Sequence, residues 1–222
     1  MESNIAKNYK NLKLNIFNIC KKINRNPSEI NIVAVSKKQN KSKIEELLKY
    51  NHNCYGENIL QEAQDKWSII RNDKITLHYI GALQSKKVQD ILNSFNVIET
   101  LDTESSANKI ASYIVNNPNK KKAKIYMQIN IGEEPQKRGV PILDVGHFIK
   151  MCKERYNIKI DGAMCLPPIS SNAKYFKLMN EICFNNNIHD ISMGMSNDYA
   201  EAIKYGSTNI RIGTSIFGKR KY

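Results

Sequence analysis

The sequence predicts an α/β fold, a single (β/α)8 TIM-type barrel with an extra N-terminal helix, and three observations carry the prediction. Short β-branched apolar runs alternate with segments of helical spacing along the whole chain. The strand-like runs number eight, the count of a closed parallel barrel. No Gly-x-Gly-x-x-Gly follows the first of them, so the alternative, an open doubly wound sheet, lacks its dinucleotide marker.

The N-terminal segment places Ile5, Tyr9, Leu12, Ile16, Ile19 and Ile23 at alternating four- and three-residue steps. That spacing is one apolar stripe of an amphipathic helix within residues 1–26, stopping before Pro27 and expected to pack on the barrel rather than to act as a targeting helix. Strands are then expected over Asn31–Ser36, Asn53–Gly56, Leu77–Gly81, Asn96–Leu101, Lys124–Ile131, Ile158–Cys165, His189–Met193 and Thr208–Ile212. Helices are expected between them over Lys41–Tyr50, up to Trp67, Gln84–Leu92, Glu104–Val115, from Pro141 to about Glu154, Ala173–Phe184 and Asp198–Tyr205. Pro141 fits the first helical position, where its missing N–H costs nothing. Pro167-Pro168 breaks the chain ahead of the seventh unit.

The 222 residues suffice for one domain with a substantial core, expected over 1–222, and no linker or low-complexity stretch divides them. No apolar run is long enough to span a membrane, and the N-terminus lacks the apolar core of a secretory signal. Cys20, Cys54, Cys152, Cys165 and Cys183 form no CxxC pair and have no His at ligand spacing. They are expected to be free thiols of a reducing, cytoplasmic compartment, without disulfides or metal. The net charge of +13 invites a nucleic-acid reading. Against it, the lysines are scattered, with only Lys120–Lys122 and Lys219–Lys221 as clusters, and no aromatic residues interleave with them as stacking platforms. The positive field would equally attract a phosphorylated small molecule.

On a parallel barrel the chemistry sits at the carboxyl ends of the strands, with phosphate commonly held after strands seven and eight. Ile32–Lys37 ends the first strand in a lysine, which becomes a nucleophile when its site favours the neutral amine. A strand ending in a solvated lysine is common, so the company of Lys37 decides its meaning. Ser192–Asp198 and Arg211–Gly218 both read as anion-binding turns after short strands. Closure makes strands one and eight neighbours, which brings these segments to one mouth. Strand alternation puts Val33, Val35 and Lys37 on one face, and Asn209 and Arg211 on one face of the last strand. An arginine pointing into the barrel needs an acceptor, and an acidic residue at a strand end is the plain expectation.

Several motifs now line up in order. They are Ala34–Lys37, Tyr55–Asn58 with Gln61-Glu62, His78–Gly81 with Leu83–Ser85 and Lys87, and Gln128–Ile131 with Lys137 and Gly139. Gly162–Met164, Ser192–Ser196 with Asp198, Gly206–Thr208, Arg211–Thr214 and Phe217-Gly218 complete the set. From Ile32 to Gly218 this succession resembles the pyridoxal phosphate homeostasis protein family, single-barrel relatives of the alanine racemase N-terminal domain. The resemblance implies pyridoxal 5′-phosphate as cofactor, held by Lys37 as a Schiff base, in a protein that buffers or delivers it for vitamin B6 homeostasis. It implies Ser196, Gly213 and Thr214 on the phosphate, Arg211 facing the pyridine nitrogen, and Asn58 beside the ring. A fixed cation at that nitrogen disfavours the pyridinium form and weakens the ring as an electron sink. His78 and Met195 could line the site but are read as strand-end packing residues. The chain departs from the family at Leu77, where a Trp is usual, at Lys86, where an Asn is usual, and in carrying Cys165 before Leu166-Pro-Pro.

The rival is a pyridoxal phosphate-dependent racemase or decarboxylase. Racemisation needs a second acid–base group opposite the lysine. In related racemases a separate C-terminal domain of a partner subunit supplies it, and the sequence runs only to Tyr222, directly after the eighth strand, which leaves Tyr55 and Tyr79 as conceivable substitutes. The expectation is therefore a non-enzymic monomer, with no catalytic residues, no nucleic-acid or membrane partner, and transient contact with apo-enzymes.

Overall fold

The computed structural model describes residues 3–168 and 172–219; Arg220 and Lys221 of the C-terminal basic cluster, and Tyr222, lie outside them. Helix α1 (Asn4–Lys22) is capped by the Ser3 hydroxyl, which accepts the Ala6 N–H at 3.3 Å. Its last turn carries Lys21 and Lys22, favourably placed against the helix dipole. Ile5, Tyr9, Leu12 and Ile16 are buried as the spacing requires, and Cys20 takes the fully buried place while Ile19 and Ile23 sit half-buried beside it. The helix lies against α2 (Lys41–Leu48), α8 (Tyr199–Lys204) and α9 (Thr214–Phe217).

The strands β1 (Asn31–Val35), β2 (Cys54–Glu57), β3 (Thr76–Tyr79), β4 (Val97–Leu101), β5 (Lys124–Ile129), β6 (Gly162–Cys165), β7 (Asp190–Met195) and β8 (Asn209–Ile212) form one closed parallel barrel in chain order. The helices α3 (Leu60–Ile70), α4 (Val88–Ser94), α5 (Glu104–Asn116), α6 (Val145–Tyr156) and α7 (Asn172–Asn185) complete the alternation. Closure is made by β1 against β8, with Val33 opposite Arg211 and Ala34 opposite Ile212.

Several boundaries differ from the sequence expectation: α2 and β5 end two residues early, α4 starts at Val88 after a 3-10 turn, Ser85–Lys87, and two further shifts have local reasons. Pro141 is extended (φ −56°, ψ 149°) and precedes a 3-10 turn, Ile142–Asp144, so α6 starts only at Val145. β6 begins at Gly162 rather than Ile158, because α6 ends on Asn157 in the left-handed conformation and the Ile158 N–H returns to the Cys152 carbonyl.

Alternation divides each strand between two environments. Tyr55, Leu77, Ile98 and Met127 are fully buried in the layer between barrel and helices, where Tyr55 stacks against Trp67 of α3. The inward side carries Val33, Val35, Gly56 and, unusually for a core, His78, Glu99, Ser192 and Arg211. Between Ser192 and Met195 the β7–β8 register shifts, and Gly194 sits there at φ +92° with space for no side chain, since a Cβ would lie 2.6 Å from that of Ala202. This bulge turns the chain after β7 toward the loop after β8.

Candidate functional site

The sequence-predicted residues come together at the carboxyl ends of the strands. Lys37 follows β1, half-buried, two residues beyond the inward-facing Val35. Gly213 adjoins Val35 across the β1–β8 seam; a Cβ there would stand 3.6 Å from Val35, in ordinary contact. The chain's own packing therefore does not demand a glycine at this point, and its missing side chain leaves room on the mouth side. Ser196 reaches the same loop from β7, its hydroxyl accepting the Ser215 N–H at 3.2 Å, while Thr214 is exposed. Asn58 follows β2 on the adjoining side, where its backbone lies so close to Gly81 that a Cβ on that glycine would fall 2.1 Å from the Asn58 carbonyl oxygen. The Asn58 side-chain Oδ1 is buried and has no hydrogen-bond partner among the described residues. A buried polar atom left without a partner is costly, and at the carboxyl ends of the strands it suits a polar ligand.

Arg211 lies one step deeper, 4% exposed, in the barrel interior. Its Nη1 donates to Ser192 Oγ at 2.6 Å and its Nη2 to the Cys165 carbonyl at 2.9 Å. Ser192 Oγ in turn donates to Glu99 Oε2 at 2.7 Å, and the other Glu99 oxygen meets His78 Nδ1 at 2.6 Å. The acceptor that the sequence demanded for Arg211 is thus a mid-strand carboxylate rather than a strand-end one. Burial opposes charge on Glu99, yet the hydrogen bonds and charges of His78, Arg211 and Ser192 outweigh it and hold the carboxyl below its usual range. Burial likewise opposes the His78 imidazolium, but Cys54 and Glu99 beside it prevail and its pKa rises to about 10. Burial pushes the Cys165 thiol up to about 12, so it remains protonated.

Met195 is exposed at the mouth, whereas His78 serves the interior network rather than a strand end. Tyr55 is turned away from the mouth, toward the chain that enters β2, whereas Tyr79 is held by the loop that leaves β3. The Tyr55 hydroxyl donates to the His52 carbonyl at 3.0 Å, that of Tyr79 to the Ala82 carbonyl at 3.2 Å, and burial raises both above the ordinary phenol value. Glu99 was not singled out by sequence reasoning; its signal is a lone carboxylate at an inward position of Val97-Ile-Glu-Thr-Leu101. Across the mouth from the Gly213 loop, a cavity of about 260 Å³ is lined by Gly81, Thr100, Gln128, Asn130 and Arg138. The five cysteines are buried free thiols; among the described residues no cluster could hold a metal ion and no helix is long and apolar enough to cross a membrane.

The family model for the alanine racemase N-terminal domain matches residues 8–221. The pyridoxal phosphate homeostasis protein of Haemophilus influenzae is 31% identical over 232 residues, covering 99% of this chain and 97% of its own. That of Escherichia coli K12 is 30% identical, with 99% and 98% covered. Among solved structures, PipY of Synechococcus elongatus with PLP bound superposes with a TM-score of 0.74 at 23% identity, covering 92% of this chain and all of its own, 100%. An alanine racemase of Clostridium difficile superposes with a TM-score of 0.71 at 15% identity, covering 96% of this chain and 58% of the racemase. Both structures share the barrel. A racemase-type barrel carrying this set of loops, matched over nearly its whole length, belongs to the pyridoxal phosphate homeostasis protein family, within the alanine racemase N-terminal domain group.

Proposed function

We propose that this protein binds pyridoxal 5′-phosphate at the barrel mouth and serves vitamin B6 homeostasis in the cytoplasm, buffering or delivering the cofactor rather than using it in turnover. The observation that carries the reading is the meeting of Lys37, Asn58, Ser196 and the Gly213–Thr214 loop at one end of a barrel whose interior presents Arg211. Family membership and the names borne by relatives of equal length support it.

The cofactor would supply an aldehyde, and Lys37, at the end of β1, is the residue that would hold it covalently. Ser196 and Thr214 would offer hydroxyls, and the Gly213–Thr214 backbone N–H groups, to the phosphate. Asn58 would offer its buried, unpartnered amide oxygen to the cofactor. Arg211 keeps its cation fixed through Ser192, Cys165 and Glu99, and such a permanent cation would oppose protonation of a pyridine nitrogen brought to it. Glu99 neutralises that charge within the barrel and keeps it from being buried alone.

The test is the absorption spectrum of the protein mixed with pyridoxal phosphate, followed by borohydride and peptide mapping. A visible band and a reduced adduct on Lys37 are expected, with the adduct lost and weak non-covalent binding kept in Lys37→Ala. A full-intensity reducible band in Lys37→Ala would make another lysine the anchor, Lys38 being the first to examine.

A further inference from the structure

Behind the mouth, on the helix side of the barrel, three charged residues hold the residues on both sides of Lys37, Ser36 by its side chain and carbonyl and Lys38 by its N–H. Ser36 donates its hydroxyl to Glu57 Oε1 at 2.7 Å, and its carbonyl accepts from Lys66 Nζ at 2.7 Å. The Lys38 N–H donates to Glu62 Oε1. Lys66 ties the two carboxylates together, 2.6 Å from Glu57 Oε1 and 2.9 Å from Glu62 Oε1, and Trp67 Nε1 adds a bond to Glu57 at 3.2 Å. Glu57 is wholly buried and the Lys66 side chain is 12% exposed.

We propose that Glu57, Lys66 and Glu62 are positioning residues for Lys37: a charged clamp that fixes Ser36 and Lys38 so that the amine between them is presented to the mouth. The inference rests on the reading of Lys37 as the cofactor-bearing lysine. Two independent features point to position rather than stability. A buried ion pair is weak evidence of stabilisation, since apolar replacements often do as well. This one spends its hydrogen bonds on the two residues flanking Lys37. Lys38 also holds a left-handed backbone (φ +58°), which a residue bearing a Cβ adopts only at a cost and keeps only where its surroundings impose it. The Glu62 carboxylate on the Lys38 N–H is such a constraint. It lets the chain reverse directly after Lys37 instead of continuing the strand, and leaves Lys37 at the point of the turn.

Glu62 is the residue to test, because it is the partly exposed arm of the clamp and its loss leaves the Glu57–Lys66 pair intact. Glu62→Ala removes the acceptor; Glu62→Gln keeps an oxygen for the Lys38 N–H while removing the charge. Two readouts apply: the rate at which added pyridoxal phosphate becomes borohydride-trappable on Lys37, and hydrogen exchange of the Lys38 amide in ligand-free protein. In Glu62→Ala the expected result is trapping slowed roughly tenfold to a hundredfold, as for a misplaced reactive group, with loss of Lys38 amide protection and a little-changed melting temperature. Glu62→Gln restores both readouts. Trapping at the wild-type rate in Glu62→Ala, a protected Lys38 amide in that variant, or a slowing that follows the melting temperature and is not restored by Gln, each overturns the clamp. Wild-type trapping at a different lysine overturns the underlying reading of Lys37, and is seen before any variant is compared.

Discussion

Glu99 of β4 and Arg211 of β8 face each other through the barrel interior, 3.7 Å between Oε2 and Nη1, with the Ser192 hydroxyl bonded to both. A charged pair at the centre of a small barrel is tolerated only because each of its members is multiply bonded. Glu99 also holds His78, so a single carboxylate serves two cations.

Removing that carboxylate's charge leaves both cations without it. Glu99→Gln is expected to destabilise the fold by about 3–5 kcal/mol, the scale for breaking a buried pair from one side. Urea unfolding measures it; a midpoint within error of wild type would mean that Ser192 and the Cys165 carbonyl suffice for Arg211.

The phosphate cradle is tested separately from the lysine. Ser196→Ala and Thr214→Val each delete one hydrogen bond to a charged group, worth about 1.5–3 kcal/mol, or about ten- to a hundred-fold in affinity. Retention of pyridoxal phosphate through gel filtration reads the effect. If the double variant kept the cofactor as wild type does, the phosphate would belong elsewhere, for instance on an exposed basic cluster such as Lys120–Lys122.

How much of this was legible in the sequence depends on whether a residue's partner is local. The barrel was legible because each β/α unit announces itself within a short window, and the mouth residues followed from the rule that chemistry sits at strand ends. Strand alternation correctly faced Arg211 inward. Its partner was not legible: Glu99 is four strands away, and only closure and register bring them together. The Glu57–Lys66–Glu62 cluster was hidden for a similar reason, since a Glu inside Tyr55-Gly-Glu-Asn58 gives no sign of which side of the strand it faces. The late start of β6 was missed because Ile158, buried after the end of α6, reads like a strand residue.

Stability should peak near pH 6.5, because two buried histidines respond to pH in opposite senses. His52 accepts from the Tyr9 hydroxyl at Nδ1 and donates from Nε2 to the Cys54 carbonyl, and burial lowers its pKa to about 4. Between pH 6.5 and 4 the unfolded chain takes up a proton there that the folded one refuses, so stability falls as the pH falls, by about 2 kcal/mol from pH 6.5 to 5. His78, raised to about 10, contributes fully below pH 6.5 and loses that contribution as the pH climbs toward 10. Melting temperatures from pH 5 to 9 trace both limbs. His52→Gln should flatten the limb between pH 5 and 6.5, and an acid limb unchanged in that variant would assign it to other groups.

The last expectation concerns turnover. Racemisation or decarboxylation on this cofactor draws electrons into the pyridine ring, which a protonated ring nitrogen favours. Arg211, held by Ser192, Cys165 and Glu99, offers that nitrogen a permanent cation instead of a carboxylate that could support its protonation. Racemisation also needs a second acid–base group opposite the lysine. Tyr55 and Tyr79 both donate their hydroxyl protons to backbone carbonyls, those of His52 and Ala82. The protein should therefore bind pyridoxal phosphate yet leave L- and D-alanine, serine and other common amino acids unchanged. Chiral analysis after long incubation, with Lys37→Ala as the blank, makes the measurement. Wild-type turnover on the order of 1 s⁻¹, an ordinary enzymic rate, would replace the carrier reading with an enzymic one and require an acid–base group other than Tyr55 and Tyr79 as they are bonded.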